Sequence, residues 1–331
     1  MSNKKPSIRA VAERAGVSVA TVDRVLSDRA KVSDKTALKV LNALRELGSA
    51  SVLPSGARHI FRFEVVMSLS DETFFARYEQ AFQHCAMKYG VQVRLRRFHS
   101  LEGNAAILEA IQAQAGRYHG LALIVEDNAS LRGHCQALKQ AGKATVFISS
   151  EVGEQGGHYV GVDNLAAGRT AAYLLGGFMG GRGRVLLGTH HLAFRSHAQR
   201  VQGFMQVCRA RFPALEVLGP VHCDDTDAHG EARVRAFVEQ AGQVEGVYHT
   251  GAGNAGVAAA LAGHPLRAWV AHEVTPANRA LLMAGKVAAL IDQNAELQAA
   301  ACVQALLYQL GAIGEPPSGT VPFSIVTPEN L

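Results

Sequence analysis

Apolar positions in the first fifty residues recur at the spacing of one helix face. Ile8, Val11, Ala12 and Ala15 stand at i, i+3, i+4 and i+7, which predicts an amphipathic helix with Ser7 as its N-cap and Gly16 at its exit. Ser18 then caps a second helix over 18–26 that turns Val22, Val25 and Leu26 inward. Ser33 and Asp34 open a third, which buries Ala37, Val40, Leu41, Leu44 and Leu47 and ends at Gly48. A helix, a glycine turn, a capped second helix and a bracing third helix form a helix-turn-helix pattern.

From Phe61 onward the pattern changes. Short β-branched runs are predicted as strands at 62–69, 91–97, 120–125, 144–149, 183–188, 215–221, 244–250, 267–271 and 287–291. Helical stretches lie between them at 74–89, 103–115, 130–141, 164–179, 196–211, 228–241, 254–262 and 276–284, with a last one at 295–311. Nine alternating strands fit two doubly wound α/β units better than one open sheet. Residues 159–163 read as an extended crossing between the units, and after residue 291 the chain is expected to return to the first. The predicted organisation is a headpiece over 1–48, a linker over 49–61, a first lobe from 62–162 and 293–327, and a second lobe from 163–292.

Charge sharpens the picture of the head. Residues 1–62 carry twelve Lys and Arg against five Asp and Glu, whereas the whole chain of 331 residues nets only +5. A basic head on a near-neutral body is the footprint of a polyanion-binding module. Met1 to Lys5 is charged and leads into a charged helix pattern without an apolar signal core, and no run is long and apolar enough for a membrane span. A soluble cytoplasmic protein is therefore expected. The five scattered cysteines read as buried free thiols. The fourteen histidines include the doublet His190-His191 but no His-x-x-x-His spacing, so no metal is expected, and no cofactor.

The stretch Ile8-Arg9-Ala10-Val11-Ala12-Glu13-Arg14-Ala15-Gly16-Val17-Ser18-Val19-Ala20-Thr21-Val22-Asp23-Arg24-Val25-Leu26, followed by Val32-Ser33-Asp34-Lys35-Thr36, resembles the headpiece of the lactose/galactose-repressor (LacI) family. The resemblance implies that the second helix enters the major groove of operator DNA and that Val19, Ala20 and Arg24 read bases. A guanidinium can bond guanine O6 and N7 together, while Val19 and Ala20 offer apolar contact. Ser18, Thr21 and the helix N-terminal amides suit phosphate oxygens. Two features depart from the family. Asp23 stands where a small hydroxyl residue is usual, and the hinge carries Pro54 and Gly56 inside Ser49 to Ile60 instead of the usual hinge-helix pattern.

The body resembles the effector domain of the same family, which is similar to periplasmic sugar-binding proteins. The matching elements are Val162-Asp163-Asn164-Leu165-Ala166-Ala167-Gly168, Arg200-Val201-Gln202-Gly203-Phe204 and Ile291-Asp292-Gln293-Asn294. The fold class implied is an all-α head plus two parallel-sheet lobes of the type I periplasmic binding protein kind. By that resemblance Phe74 and Phe75 present aromatic faces to a sugar, Arg200 donates paired bonds to hydroxyls, and Ser196 lies one turn earlier. Asn254, Glu273 and Gln293 add amide and acidic groups, with Ser150 and Glu151 as further lining candidates. Taken singly, each of these is equally a core residue, a helix cap or a solvated side chain. The function implied is a DNA-binding transcriptional regulator, a repressor controlled by a small sugar or polyol and not an enzyme. It would act as a homodimer on a near-palindromic operator. No leucine heptad follows Leu310, so a coiled-coil tetramer is not expected.

One motif points elsewhere. Gly251-Ala252-Gly253-Asn254-Ala255-Gly256 is a formal Gly-x-Gly-x-x-Gly between a strand and a helix, with Glu273 ending the next strand, as in NAD(P)-dependent oxidoreductases. Against that alternative, too little chain follows residue 251 for a cofactor sheet, and the basic head would have no purpose.

Overall fold

The computed structural model describes residues 6–27, 32–47, 61–68, 71–99, 103–153, 158–223 and 226–331. Residues 49–60 of the predicted linker, with the Pro54–Gly56 pair, lie outside the described residues, and its last residue, Phe61, is buried in the first-lobe core beside Phe63.

The head has three helices: α1 (Ile8–Ala15), α2 (Val19–Ser27) and α3 (Asp34–Glu46). The Ser7 hydroxyl accepts from the Ala10 amide, and Gly16 takes the left-handed conformation (φ 64°) that closes α1. Val11, Ala12, Val22, Val25, Val40, Leu41 and Leu44 are buried together, which is the stripe expected from their spacing. Arg14 and Glu46 tie α1 to α3 at 2.5 Å.

The body holds two sheets with helices on both faces. The first runs β2-β1-β3-β4-β5, all parallel, from β1 (Arg62–Ser68), β2 (Gln92–Phe98), β3 (Gly120–Ile124), β4 (Ala144–Ile148) and β5 (His158–Val160). Its helices are α4 (Glu72–Tyr89), α5 (Gly103–Ala113) and α6 (Ala129–Gln140), with α7 (Asn164–Phe178) starting the second unit. The second sheet runs β11-β10-β9-β8-β6-β7, from β6 (Arg182–Thr189), β7 (Ala214–His222), β8 (Gly246–His249), β9 (Ala268–His272), β10 (Ala289–Asp292) and β11 (Ser324–Val326). Its helices are α7, α8 (Arg195–Arg211), α9 (Asp227–Ala241), α10 (Asn254–Ala260) and α11 (Pro276–Met283). The last helix, α12 (Ala295–Gln309), packs on α4 and β4 of the first lobe. Strands β3, β4, β8, β9 and β10 are buried along their whole length, as sheets covered on both faces require.

The nine predicted strands are all present. Two three-residue strands come in addition. Residues expected as a plain crossing include β5, which pairs with β4. The tail, expected to stay in the first lobe to residue 327, instead sends β11 back to pair antiparallel with β10, Ile291 opposite Ile325. The chain thus passes between the lobes three times, at 161–163, at 292–294 and between α12 and β11. The first and third passages touch through a bridge between Gly161 and Thr320.

Candidate functional site

The carboxyl ends of β1, β4, β6, β8, β9 and β10 converge on one cleft, the place where doubly wound sheets bind ligands. The cleft encloses a cavity of about 340 Å³, within the range of small-molecule sites. Its wall includes Ser68, Phe74, Ser149, His190, Phe194, Ser196, His197, Arg200, Thr250, Asn254, His272, Glu273, Asn278 and Gln293.

Arg200 is placed by helix packing. Side chains at Gly168 and Gly203 would bring Cβ atoms to 2.0 Å from the Arg200 carbonyl oxygen and 2.1 Å from the Leu165 carbonyl oxygen, so only glycines let α7 and α8 lie this close. That approach carries the Arg200 Nε to the Asn164 Oδ1 at 2.8 Å, while Nη1 donates to the Thr250 carbonyl at 2.7 Å. Phe204, one turn on, stacks on Tyr248 with centroids 4.5 Å apart, and the Tyr248 hydroxyl lies 3.0 Å from the His272 Nε2. The Arg-x-x-Gly-Phe run is therefore a single device that orients both Arg200 and His272.

On the facing side a polar chain links the lobes. The Ser149 hydroxyl donates to the Gln293 Oε1 (2.8 Å), and the Gln293 Nε2 donates to the Glu273 Oε1 (2.5 Å). Ser149 (φ 61°), Glu273 (φ 71°) and Asn294 (φ 59°) are the three positive-φ residues other than glycine among the described residues, and all stand in or beside this chain. Left-handed backbone at bulky positions costs about 1–3 kcal/mol and collects at ligand sites. Beneath lies an ion-pair knot. Arg77 on α4 holds Asp292 through both terminal nitrogens (2.5 and 2.9 Å) and also binds Glu296. Burial pushes the Asp292 carboxyl up, but Arg77 and the amides of Val274 and Asn294 together hold it below the usual range. Burial, reinforced by Asp292, raises Glu273 to about 8 against the pull of Arg200, Gln293 and Arg77. His197 and His272 are driven well below the ordinary histidine value, first by burial and then by Arg200 and neighbouring histidines.

Six of the seven effector residues expected from sequence line the cavity: Phe74, Ser196, Arg200, Asn254, Glu273 and Gln293. Phe75 does not. One residue further round α4, about 100°, it turns from the cleft and lies under the Arg97 guanidinium at 5.6 Å. Asn254 reaches the wall with its amide already engaged, Oδ1 to the His249 ring at 2.9 Å and Nδ2 to the Gly251 carbonyl. Ser150 is buried and accepts from the Ser196 amide, whereas Glu151 bonds Gln199 on the second lobe. Sequence reasoning missed Ser149, His190, His197, His272, Asn278 and the Arg77–Asp292 knot. The signal available was position: His190, His272 and Ser149 each stand at or just after the carboxyl end of a strand.

In the head, Val19, Ala20 and Arg24 project into solvent from the α2 face opposite buried Val22 and Val25. Ser18 and Thr21 bond each other through their hydroxyls (2.8 Å), and the Ser18 oxygen accepts from the Thr21 amide, so the pair fixes the start of the helix. Asp23 is exposed on the same side as Arg24.

Residues 63–315 match the periplasmic binding protein domain family, and residues 7–49 match the lacI family of bacterial regulatory proteins. The chain belongs to the periplasmic binding protein family and carries a lacI-family head. A curated relative, the HTH-type transcriptional regulator GntR of Pseudomonas aeruginosa, is 28% identical over 252 residues, 74% of this chain and 71% of that protein. Among solved structures, a solute-binding protein of an ABC transporter from Burkholderia graminis, in complex with D-arabinose, superposes with a TM-score of 0.75 at 20% identity. That match covers 82% of this chain and 96% of the other. A solute-binding protein from Agrobacterium vitis with bound D-fucose gives 0.75 at 17% identity, covering 81% and 96%. At these identities the structures speak for the fold alone.

A lacI-family head on such a body removes the oxidoreductase alternative. The 251–256 glycines have a packing explanation instead. A Cβ on Gly256 would fall 1.8 Å from the Asp227 carbonyl oxygen, and one on Gly253 would fall 2.8 Å from that of Thr226, so the loop seats α10 against the start of α9. Among the described residues no cluster of His, Cys, Asp or Glu is arranged to hold a metal, and no helix is long and apolar enough to cross a membrane.

Proposed function

We propose that this chain is a DNA-binding transcriptional repressor whose operator affinity is set by a small sugar or polyol in the interlobe cleft. One observation carries the reading. A single chain joins a helix that exposes Val19, Ala20 and Arg24 to a cavity walled by Arg200, paired amides and an aromatic face, Phe74. The first feature suits the major groove and the second a ring or chain of hydroxyls. Ligand and operator each favour one relation of the two lobes, so each changes the other's affinity by the same factor, typically ~1–3 kcal/mol. One recognition helix reads half a site, so a cytoplasmic homodimer on a near-palindromic operator belongs to the proposal. The domain limits follow the same reading, with the head to residue 48, a linker to 61 and two lobes beyond, the tail shared between them.

The test is selection of bound duplexes from a randomised library by the full chain, repeated with a panel of sugars and polyols. Enrichment of a two-fold symmetric site, released or strengthened by one panel member, is the expected result. Failure to enrich any sequence over competitor, with or without the panel, overturns the proposal.

A further inference from the structure

We propose that Asp23 reads a cytosine, its carboxylate accepting a hydrogen bond from the exocyclic amine in the major groove; the inference rests on the DNA-binding reading above. Asp23 is exposed on α2, and among the described residues its side chain takes part in no hydrogen bond or ion pair. It is the fifth of the nine residues of α2, too far along to cap the helix start, a task Ser18 already performs. Aspartate is also a weak helix former at an interior position. The packing of the three head helices gives no reason for a carboxylate here.

Its neighbours on the helix leave it free to meet DNA. Val19 and Asp23 stand one turn apart, as do Ala20 and Arg24, so the four form one exposed patch. Helical side chains lean towards the helix N-terminus, which lays the carboxylate over the turn of Val19 and Ala20. Neither of those side chains has a polar group to bond it. Both are short, so the helix can sit close enough to the base edges for an aspartate to reach them. Arg24 makes no ion pair either, so the acid and the cation are not spent on each other.

A carboxylate only accepts, and it shares the sign of the phosphates. In the major groove the donors are the cytosine N4 and adenine N6 amines. Adenine sets its N7 lone pair beside that amine, where it repels a second acceptor, and the cytosine edge carries no such acceptor. Cytosine is therefore the partner. Arg24, which only donates, suits guanine O6 and N7. Consecutive helix residues point about 100° apart, so the two side chains meet different base pairs. The expected half-site has a cytosine at one position and a guanine at a neighbouring one, each fixed by its own residue.

The test starts from the site selected by the full-length protein. Each half-site position is changed in turn to the other three base pairs, and binding is read by fluorescence anisotropy for wild type, Asp23→Asn, Asp23→Ser and Arg24→Ala. The expected result is one position at which wild type prefers cytosine by about fivefold or more. Asp23→Asn, which keeps the shape but gains donors, loses that preference and no other, and Asp23→Ser does the same. Arg24→Ala keeps it and loses a guanine preference at a neighbouring position. If both Asp23 variants bind every duplex more tightly with all preferences intact, the acid faces phosphate and the assignment is overturned. Unchanged binding, or an adenine in place of the cytosine, overturns it too. In each of these cases sequence-specific binding itself stands, whereas a wild type with no preferred sequence removes both proposals.

Discussion

Arg77 and Asp292 meet across the interlobe boundary with two parallel hydrogen bonds, a helix residue of one lobe clasping the last residue of a strand in the other. The carboxylate has no spare capacity, since the amides of Val274 and Asn294 take its remaining lone pairs. Removing the guanidinium strands a largely buried charge. Arg77→Met is expected to lower unfolding free energy by about 3 kcal/mol, read from urea midpoints, with Arg77→Lys intermediate because a point charge cannot grip both oxygens.

Gly203 sets the distance between α7 and α8. Gly203→Ala places a methyl 2.1 Å from a backbone oxygen that cannot turn aside, so the helices must separate. We expect a loss of at least ~1–3 kcal/mol. Arg200 moves with its helix, and any ligand-induced rise in Tm should shrink further than stability alone explains. Full ligand response in a destabilised Gly203→Ala protein would show that α7–α8 spacing does not place Arg200.

In the head, Arg24→Ala removes a solvent-facing side chain and leaves the buried stripe intact, so the melting temperature should not change. Preference for the selected operator over random duplex should fall by ~1–3 kcal/mol, while salt-sensitive background binding persists. Fluorescence anisotropy at two salt concentrations separates these terms, and undiminished preference would take base reading away from this residue.

Glu273 provides the pH signature. Its folded-state value near 8 lies above the ordinary 4.5, so the native protein holds a proton that the unfolded chain has released. Its contribution is complete at low pH and declines as pH rises through that interval. His197 and His272, displaced below 6.5, act in the opposite direction as pH falls through 6.5, and they do so equally in wild type and Glu273→Gln. From pH 6.5 to 8 the wild type should therefore lose stability more steeply than Glu273→Gln, as measured by urea unfolding at several pH values. Equal slopes would place the proton elsewhere.

Hydrophobic period and β-branched runs were enough for the three head helices and the nine longer strands. This holds whether a strand is buried throughout, as β3, β4, β8, β9 and β10 are, or half-exposed at a sheet edge, as β2 and β7 are. Strands β5 and β11 escaped notice for a local reason. Three residues are too few to display alternation, and Ser324–Val326 sits between Pro322 and Pro328 in a segment that reads as loop. Within the cleft, charged and aromatic positions in family motifs were legible, but their roles were only partly so. The amides of Gln293 and Asn254 look in sequence like free ligand contacts, yet each already bonds neighbours, Ser149 and Glu273 for the first and His249 and Gly251 for the second. His197, on α8, carries no local mark, since its significance comes from strands and helices distant in the chain meeting at one end of a sheet.

Three passages of backbone join the lobes, the first and third bridged at Gly161 and Thr320. A strap of that width folds along one line and resists swivelling, because any twist would stretch one passage while slackening another. Movement of the halves then reduces to a single angle. Whatever fills the cavity can alter only how far that angle closes, so chemically different occupants would be registered as more or less of the same message, never as separate messages.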